Sequence, residues 1–81
     1  MARVLVTASD CDEFTGGLRS FEVEAPDIRT LLRRLDERFP GLIRLIEQRV
    51  SLAVDGEIRP TWAGPLRADS EVCLIPRIGG G

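Results

Sequence analysis

The sequence predicts an α+β fold on three observations: short β-branched segments near both ends and in the middle of the chain, one amphipathic stretch of helical period among them, and an Asp-Gly pair placed to reverse the chain between two strand-like segments. One helix covers one face of a sheet, so a sheet carrying one helix is the arrangement that buries both apolar surfaces. The 81 residues, 43% of them hydrophobic, supply one core and one domain. A chain of this size buries roughly 60–65% of its unfolded surface, which leaves little room for a deep catalytic cleft of its own.

Each element follows from local pattern. Arg3 to Ala8 is β-branched and apolar and runs into a loop, Ser9 to Gly17, rich in Asp and Gly, so a strand and its turn are expected. From Arg19 to Glu24 the residues alternate, with Phe21 and Val23 on one face and Ser20, Glu22 and Glu24 on the other. That is the period of a half-buried strand, and it pairs with the first as a hairpin. Pro26 and Asp27 open the helix: Asp27 is a good N-cap, and Ile28, Leu31, Leu32, Leu35 and Phe39 form one apolar stripe. The other face carries Arg29, Arg33, Arg34, Asp36, Glu37 and Arg38, a solvated run in which Arg33 and Glu37 are spaced to pair weakly. Pro40 and Gly41 end the helix, since a proline excludes the helical conformation from the residue before it. A short helical turn is expected over Leu42 to Ile46. Ser51 to Asp55 reads as a third strand and Asp55-Gly56 as the hairpin turn into Glu57 and Ile58. An irregular segment from Arg59 to Asp69 precedes the last strand, Glu71 to Ile75.

Composition excludes several function classes. Eleven basic residues against thirteen acidic ones, a net charge of −2 and a pI near 5.0 argue against a nucleic-acid backbone binder. Every basic residue is an arginine. Without histidine there is no imidazole base, so Ser-His-Asp and Cys-His catalysis and the commonest zinc sites fall away. Without lysine the chain offers itself no isopeptide acceptor beyond the α-amine of Met1. Cys11 and Cys73 form no C-x-x-C pair, which sets aside a dithiol or metal motif, while a disulfide between them stays open. Cys11 sits among Asp10, Asp12 and Glu13, neighbours that raise a thiol pKa, and Cys73 reads as a small apolar filler in a strand. Asp55, Glu57, Asp69 and Glu71 fall at turns and strand edges and are read as turn chemistry, so no metal site is expected. Trp62 is expected to pack over the sheet edge. No segment has the length of a membrane span and no signal-peptide core precedes Val4, so a reducing cytoplasm is the expected compartment.

After Pro76 the sequence reads Arg77-Ile78-Gly79-Gly80-Gly81. Residues without a Cβ pass through narrow channels and adopt backbone angles closed to others, and three extended residues reach about 10 Å. Together with Ala53-Val54-Asp55-Gly56-Glu57, Leu66, Asp69, Glu71-Val72, Ile75-Pro76, Gly80-Gly81 and, earlier, Phe39-Pro40-Gly41, this tail resembles that of the sulfur carriers of molybdopterin and thiamin biosynthesis, which are ubiquitin-like β-grasp proteins. The likeness covers the layout of the whole chain and is specific from Leu52 to Gly81. Length and the Ile75-Pro76 approach look more like the small subunit of molybdopterin synthase than the thiamin carrier. Asp69-Ser70-Glu71 departs from the usual Asp-Gly-Asp-Glu type of turn.

The resemblance implies a mixed sheet of order 2-1-5-3-4 with its first and last strands parallel at the centre, a β-grasp domain over residues 1–78 and a flexible functional tail over residues 79–81. It implies that an ATP-dependent activating enzyme adenylates the carboxylate of Gly81, that a persulfide donor converts it to a thiocarboxylate, and that Gly79 and Gly80 thread it to a pterin precursor in the large subunit of molybdopterin synthase. No cofactor is expected on the carrier itself, the ATP belonging to the activating partner, and neither nucleic acid nor membrane is an expected partner. Delivery to thiamin, cysteine or another sulfur metabolite remains an alternative. So do a ubiquitin-like protein modifier and a plain interaction module of the same fold. With the first and last strands adjacent, Val4, Val6, Leu52, Val54, Val72 and Leu74 face the helix. Leu5, Ala53, Cys73 and Ile75 then form an apolar patch on the opposite face, expected to dock partners. Arg77 is expected to meet acidic groups at the mouth of the partner's channel.

Overall fold

A computed structural model describes residues 1–77. β1 (Ala2–Val6) leads through a 3-10 turn (Ser9–Cys11) and α1 (Asp12–Thr15) to β2 (Ser20–Val23), α2 (Ile28–Arg38), α3 (Leu42–Arg49), β3 (Val50–Val54), β4 (Glu57–Arg59) and β5 (Glu71–Pro76). The sheet runs β2-β1-β5-β3-β4, as the resemblance implied. β1 and β5 are parallel at its centre, Val4 opposite Val72 and Val6 opposite Leu74, and the other pairs are antiparallel. This order, with α2 laid across one face, is the ubiquitin-like β-grasp fold.

The core lies between the inner sheet face and the two longer helices. Val4, Val6, Leu52, Val54, Val72 and Leu74 meet Ile28, Leu31, Leu32, Leu35, Leu42 and Ile46, every one of them 2% exposed or less. Alternation along the strands and the helical stripe therefore sorted these residues as expected. Asp27 caps α2, its carboxylate accepting from the Thr30 N–H at 2.7 Å. Asp55 (φ 50°) and Gly56 (φ 86°) both take positive φ, the requirement of a two-residue type I′ hairpin turn.

Three local outcomes differ from expectation. First, α2 stops at Arg38, and Phe39 is its C-cap with φ −129° and ψ 83°. Pro40 holds Phe39 out of the helix, yet the ring still packs edge-on against Phe21 at 5.4 Å between centroids. Arg38 stays exposed on the charged face while its guanidinium lies over both rings, 5.0 Å from Phe21 and 5.2 Å from Phe39. Arg33 and Glu37 form no ion pair; those among the described residues join Arg19 to Asp12 and Arg67 to Asp55 and Asp69. Second, the turn expected over Leu42 to Ile46 is a full helix to Arg49. Asp36, in the last turn of α2, accepts from the backbone N–H groups of Gly41 and Ile43, both at 3.2 Å, and so caps a helix that begins after the chain has turned. Third, the loop from Ser9 to Gly17 is largely helical, because Cys11 is fully buried and draws the segment onto the core.

The irregular segment is stitched to the start of α2. The Ile28 N–H donates to Gly64 O at 3.0 Å and the Leu66 N–H to Pro26 O at 2.9 Å. Trp62 and Leu66 are thereby held against the core, the covering position expected for the tryptophan. Among the described residues no helix is long and apolar enough to cross a membrane.

Candidate functional site

Two features face outward from this frame: the open face of the sheet and the point where the chain leaves it. The register aligns Ser20, Leu5, Cys73, Ala53 and Ile58 in a single row across all five strands, with Ile75 beside Ser51 in the next. Leu5, Cys73 and Ile75 are half-buried and Ala53 is 8% exposed, so Ala53 contributes a flat floor more than a contact. Ile58 is 58% exposed and belongs to the patch, although the sequence reading did not include it. Three residues of strand carry too little alternation to set a phase; the pairing of Ile58 with Ala53 sets it. A charged row of Glu22, Arg3 and Glu71 borders the patch on one side.

The exit of the chain is held by Arg77. β5 makes its last pairing at Pro76 opposite Val50. The Arg77 N–H then donates to Arg49 O at 3.2 Å. Its Nη2 donates to Ile46 O at 3.4 Å and Val50 O at 3.2 Å, and its Nη1 to Gln48 O at 3.5 Å. These carbonyls close the C-terminal end of α3 and open β3; Ile46 O also accepts the Val50 N–H, while Gln48 and Arg49 lie in the last turn, where a helix lacks internal donors and carries partial negative charge. The guanidinium expected to meet a partner's acids lies, still exposed, against the end of its own helix. Gly79, Gly80 and Gly81, with the flexible tail and the terminal chemistry expected of them, lie outside the described residues.

Neither thiol is a ready nucleophile. Cys11 and Cys73 are both free. Burial first, then Asp10 and Asp12, push the Cys11 thiol up against an opposing pull from Arg19. The neighbouring acids expected to do this are secondary, because the side chain turns into the core. Burial and, less, Glu71 also raise Cys73. Raised thiols stay protonated near neutral pH.

The Asp69-Ser70-Glu71 turn has its own logic. Asp55 accepts from the Glu71 N–H at 2.9 Å and from Ser70 Oγ at 3.1 Å and pairs with Arg67 at 3.4 Å. Chiefly through the Glu71 bond, its carboxyl is held below the usual range. Ser70 is 1% exposed and accepts in turn from the Arg67 N–H at 2.8 Å. The Asp55 carboxylate therefore ties the end of β3 to the start of β5, and no group of three or more acidic or thiol side chains among the described residues could hold a metal.

A β-grasp sheet with an apolar outer row, whose central strand leads into a glycine tail, is the architecture of the ubiquitin-like sulfur carriers. The chain belongs to the ThiS family, whose model matches residues 9–81. No curated protein matches its sequence. Among solved structures it is similar to a chain of the Amycolatopsis orientalis BexX/CysO complex, at 17% identity and a TM-score of 0.80 with 100% of each chain covered. The small archaeal modifier protein 1 (SAMP1) of Methanosarcina acetivorans matches at 17% identity and a TM-score of 0.79, covering 99% of this chain and 95% of that one. A chain of the Helicobacter pylori complex of molybdopterin-converting factor subunits 1 and 2 matches at 19% identity and a TM-score of 0.68, covering 99% and 97%. At such identities these likenesses concern the fold.

Proposed function

We propose that this protein carries sulfur as a thiocarboxylate on Gly81 and donates it to a biosynthetic acceptor, with molybdopterin synthesis as the leading pathway. The observation that carries the reading is the family match running to residue 81 through the glycine tail, which begins two residues after the anchored Arg77. A free carboxylate is a poor electrophile. An activating partner joins it to AMP from ATP with release of pyrophosphate, a persulfide sulfur attacks the acyl carbon and expels AMP, and a second thiol reduces the resulting acyl disulfide to leave the thiocarboxylate. Gly79 and Gly80 present only backbone to the channel through which this group must pass. Leu5, Ala53, Cys73 and Ile75 form the docking side, and Arg77, off that face, marks the root of the tail.

The BexX/CysO pair and the two-subunit converting factor support protein partners of this kind. The likeness to an archaeal modifier supports a second reading, in which the same activated terminus is joined to amines of other proteins.

Intact mass after incubation with an activating enzyme, ATP and a sulfur donor separates the readings. Exchange of one oxygen for sulfur at Gly81 is expected, in the wild type and in the Cys11→Ala/Cys73→Ala variant alike; covalent adducts on other proteins would favour the modifier. Deleting Gly81, or Gly80→Val, should shift stability by no more than about 0.5 kcal/mol while lowering transfer by on the order of a hundredfold or more. Wild-type rates of adenylation and thiocarboxylation in either folded variant would remove the tail from the mechanism, and sulfur found on a cysteine would replace it.

A further inference from the structure

We propose that Arg77 is a positioning residue for the tail: its guanidinium clamps the chain's exit to the C-terminal end of α3 and thereby sets how far, and from what direction, residues 78–81 enter a partner. The inference rests on the carrier reading and adds a role for a side chain that the reading leaves on the rim.

The geometry is specific. β4 ends at Arg59, opposite Leu52, so Val50 lies past the end of that ladder, and its carbonyl is taken instead by Arg77 Nη2 at 3.2 Å. The same nitrogen reaches Ile46 O at 3.4 Å, Nη1 reaches Gln48 O at 3.5 Å, and the backbone N–H takes Arg49 O at 3.2 Å. One residue thus supplies donors to four consecutive or near-consecutive carbonyls that end α3 and begin β3. Three of these bonds come from the guanidinium, a planar fork with several N–H groups, whereas a lysine ammonium is a point charge on a flexible stem. Arg77 is itself exposed, so the interaction orders the exit of the chain without filling the core.

The consequence is one of reach. With the clamp closed, four residues follow the last fixed point, about 14 Å when fully extended. With it open, the last fixed point falls back to the Pro76 pairing, and one more residue must be ordered each time the tail is inserted. Ordering a residue costs about 1–2 kcal/mol, or about 5–30-fold in rate at 1.36 kcal/mol per decade. The loss should fall on kcat of adenylation and not on KM, because the outer sheet face, which does the docking, is untouched.

Arg77→Met keeps the aliphatic stem and removes the donors; Arg77→Lys restores charge and part of the hydrogen bonding. In a pyrophosphate-release assay with the carrier as varied substrate, kcat is expected to fall about 5–30-fold in Arg77→Met, to recover partly in Arg77→Lys, and KM to stay within about twofold. A helix cap with no role in the tail would lower the melting temperature and leave kcat unchanged at a temperature where both proteins are folded. Hydrogen exchange on the isolated carrier provides the independent arm: the residue-77 amide should be protected in the wild type and lose that protection in Arg77→Met. If the wild type cannot be adenylated, the carrier reading fails and the exchange experiment still decides the clamp. If it is adenylated and Arg77→Met matches its kcat, or if the residue-77 amide exchanges equally fast in both, the clamp is overturned.

Discussion

Gly41→Ala is the substitution whose cost can be worked most directly from the structure. Gly41 joins α2 to α3 at φ 95°, and a Cβ built there would stand 2.9 Å from Phe14 Cε1. Two penalties therefore add. A left-handed backbone costs an L-residue about 1–2 kcal/mol. Carbon atoms prefer about 3.5–4.0 Å, and displacing a ring already packed against the core is an overpacking of about 1–3 kcal/mol. The sum, about 2–5 kcal/mol, is a large share of the stability of a domain this small, and at about 4–8 °C per kcal/mol it should lower the melting temperature by roughly 10 °C or more. Gly56→Ala supplies the control, because φ is 86° there but nothing lies within 4 Å of the added Cβ, so only the backbone penalty applies. Thermal and urea unfolding followed by circular dichroism should therefore rank Gly41→Ala well below Gly56→Ala. Phe14→Leu should recover part of the difference in a double-mutant cycle, since it removes the clashing ring atom. Equal costs at the two glycines, or no coupling to Phe14, would refute the steric half of the argument. The site matters beyond stability because the turn at Gly41 places the start of α3, and with it the carbonyls that Arg77 grips.

Two further outcomes are expected. Leu5→Arg and Ile75→Arg should leave the fold nearly as stable as wild type, because both side chains sit on the outer sheet face, but should weaken partner binding by on the order of tenfold or more, since a charge in the centre of an interface is costly; unchanged affinity measured by calorimetry would leave the patch without a role. Asp55 has a folded-state pKa depressed chiefly by the Glu71 N–H and then by Ser70 and Arg67, so its contribution is complete above the unfolded carboxyl pKa of about 3.9 and is lost as pH falls through the lower folded value. Melting temperature should accordingly drop more steeply with acid in the wild type than in Asp55→Asn, the two curves converging once the pH lies below the folded value; parallel curves would show that the carboxylate is not coupled to folding.

Much of this molecule follows from local pattern. Alternation at Phe21 and Val23, or at Val72 and Leu74, marks the inward face of a strand whatever it pairs with. A carboxylate at Asp27 caps a helix because its partner, the Thr30 N–H, is only three residues away. The Asp55-Gly56 turn is legible for the same reason, since both positive φ angles belong to adjacent residues suited to them. The glycine tail, too, is a matter of sequence alone. What the sequence leaves open depends on groups that are distant along the chain. α3 runs past Ile46 to Arg49, and both of its ends are held by side chains from elsewhere: Asp36 of α2 at the start and Arg77 at the finish. The helical character of residues 9–15 shows in no local period, because it accompanies the burial of Cys11 against the core. Ile58 joined the outer patch only when strand pairing set its phase. Arg77, solvated or partner-bound as far as its neighbours can tell, finds its acceptors about thirty residues back in sequence, at Ile46, Gln48 and Val50. Periodicity tells a side chain which face it occupies; which unpaired carbonyl or open rung it meets there is decided when the chain closes on itself.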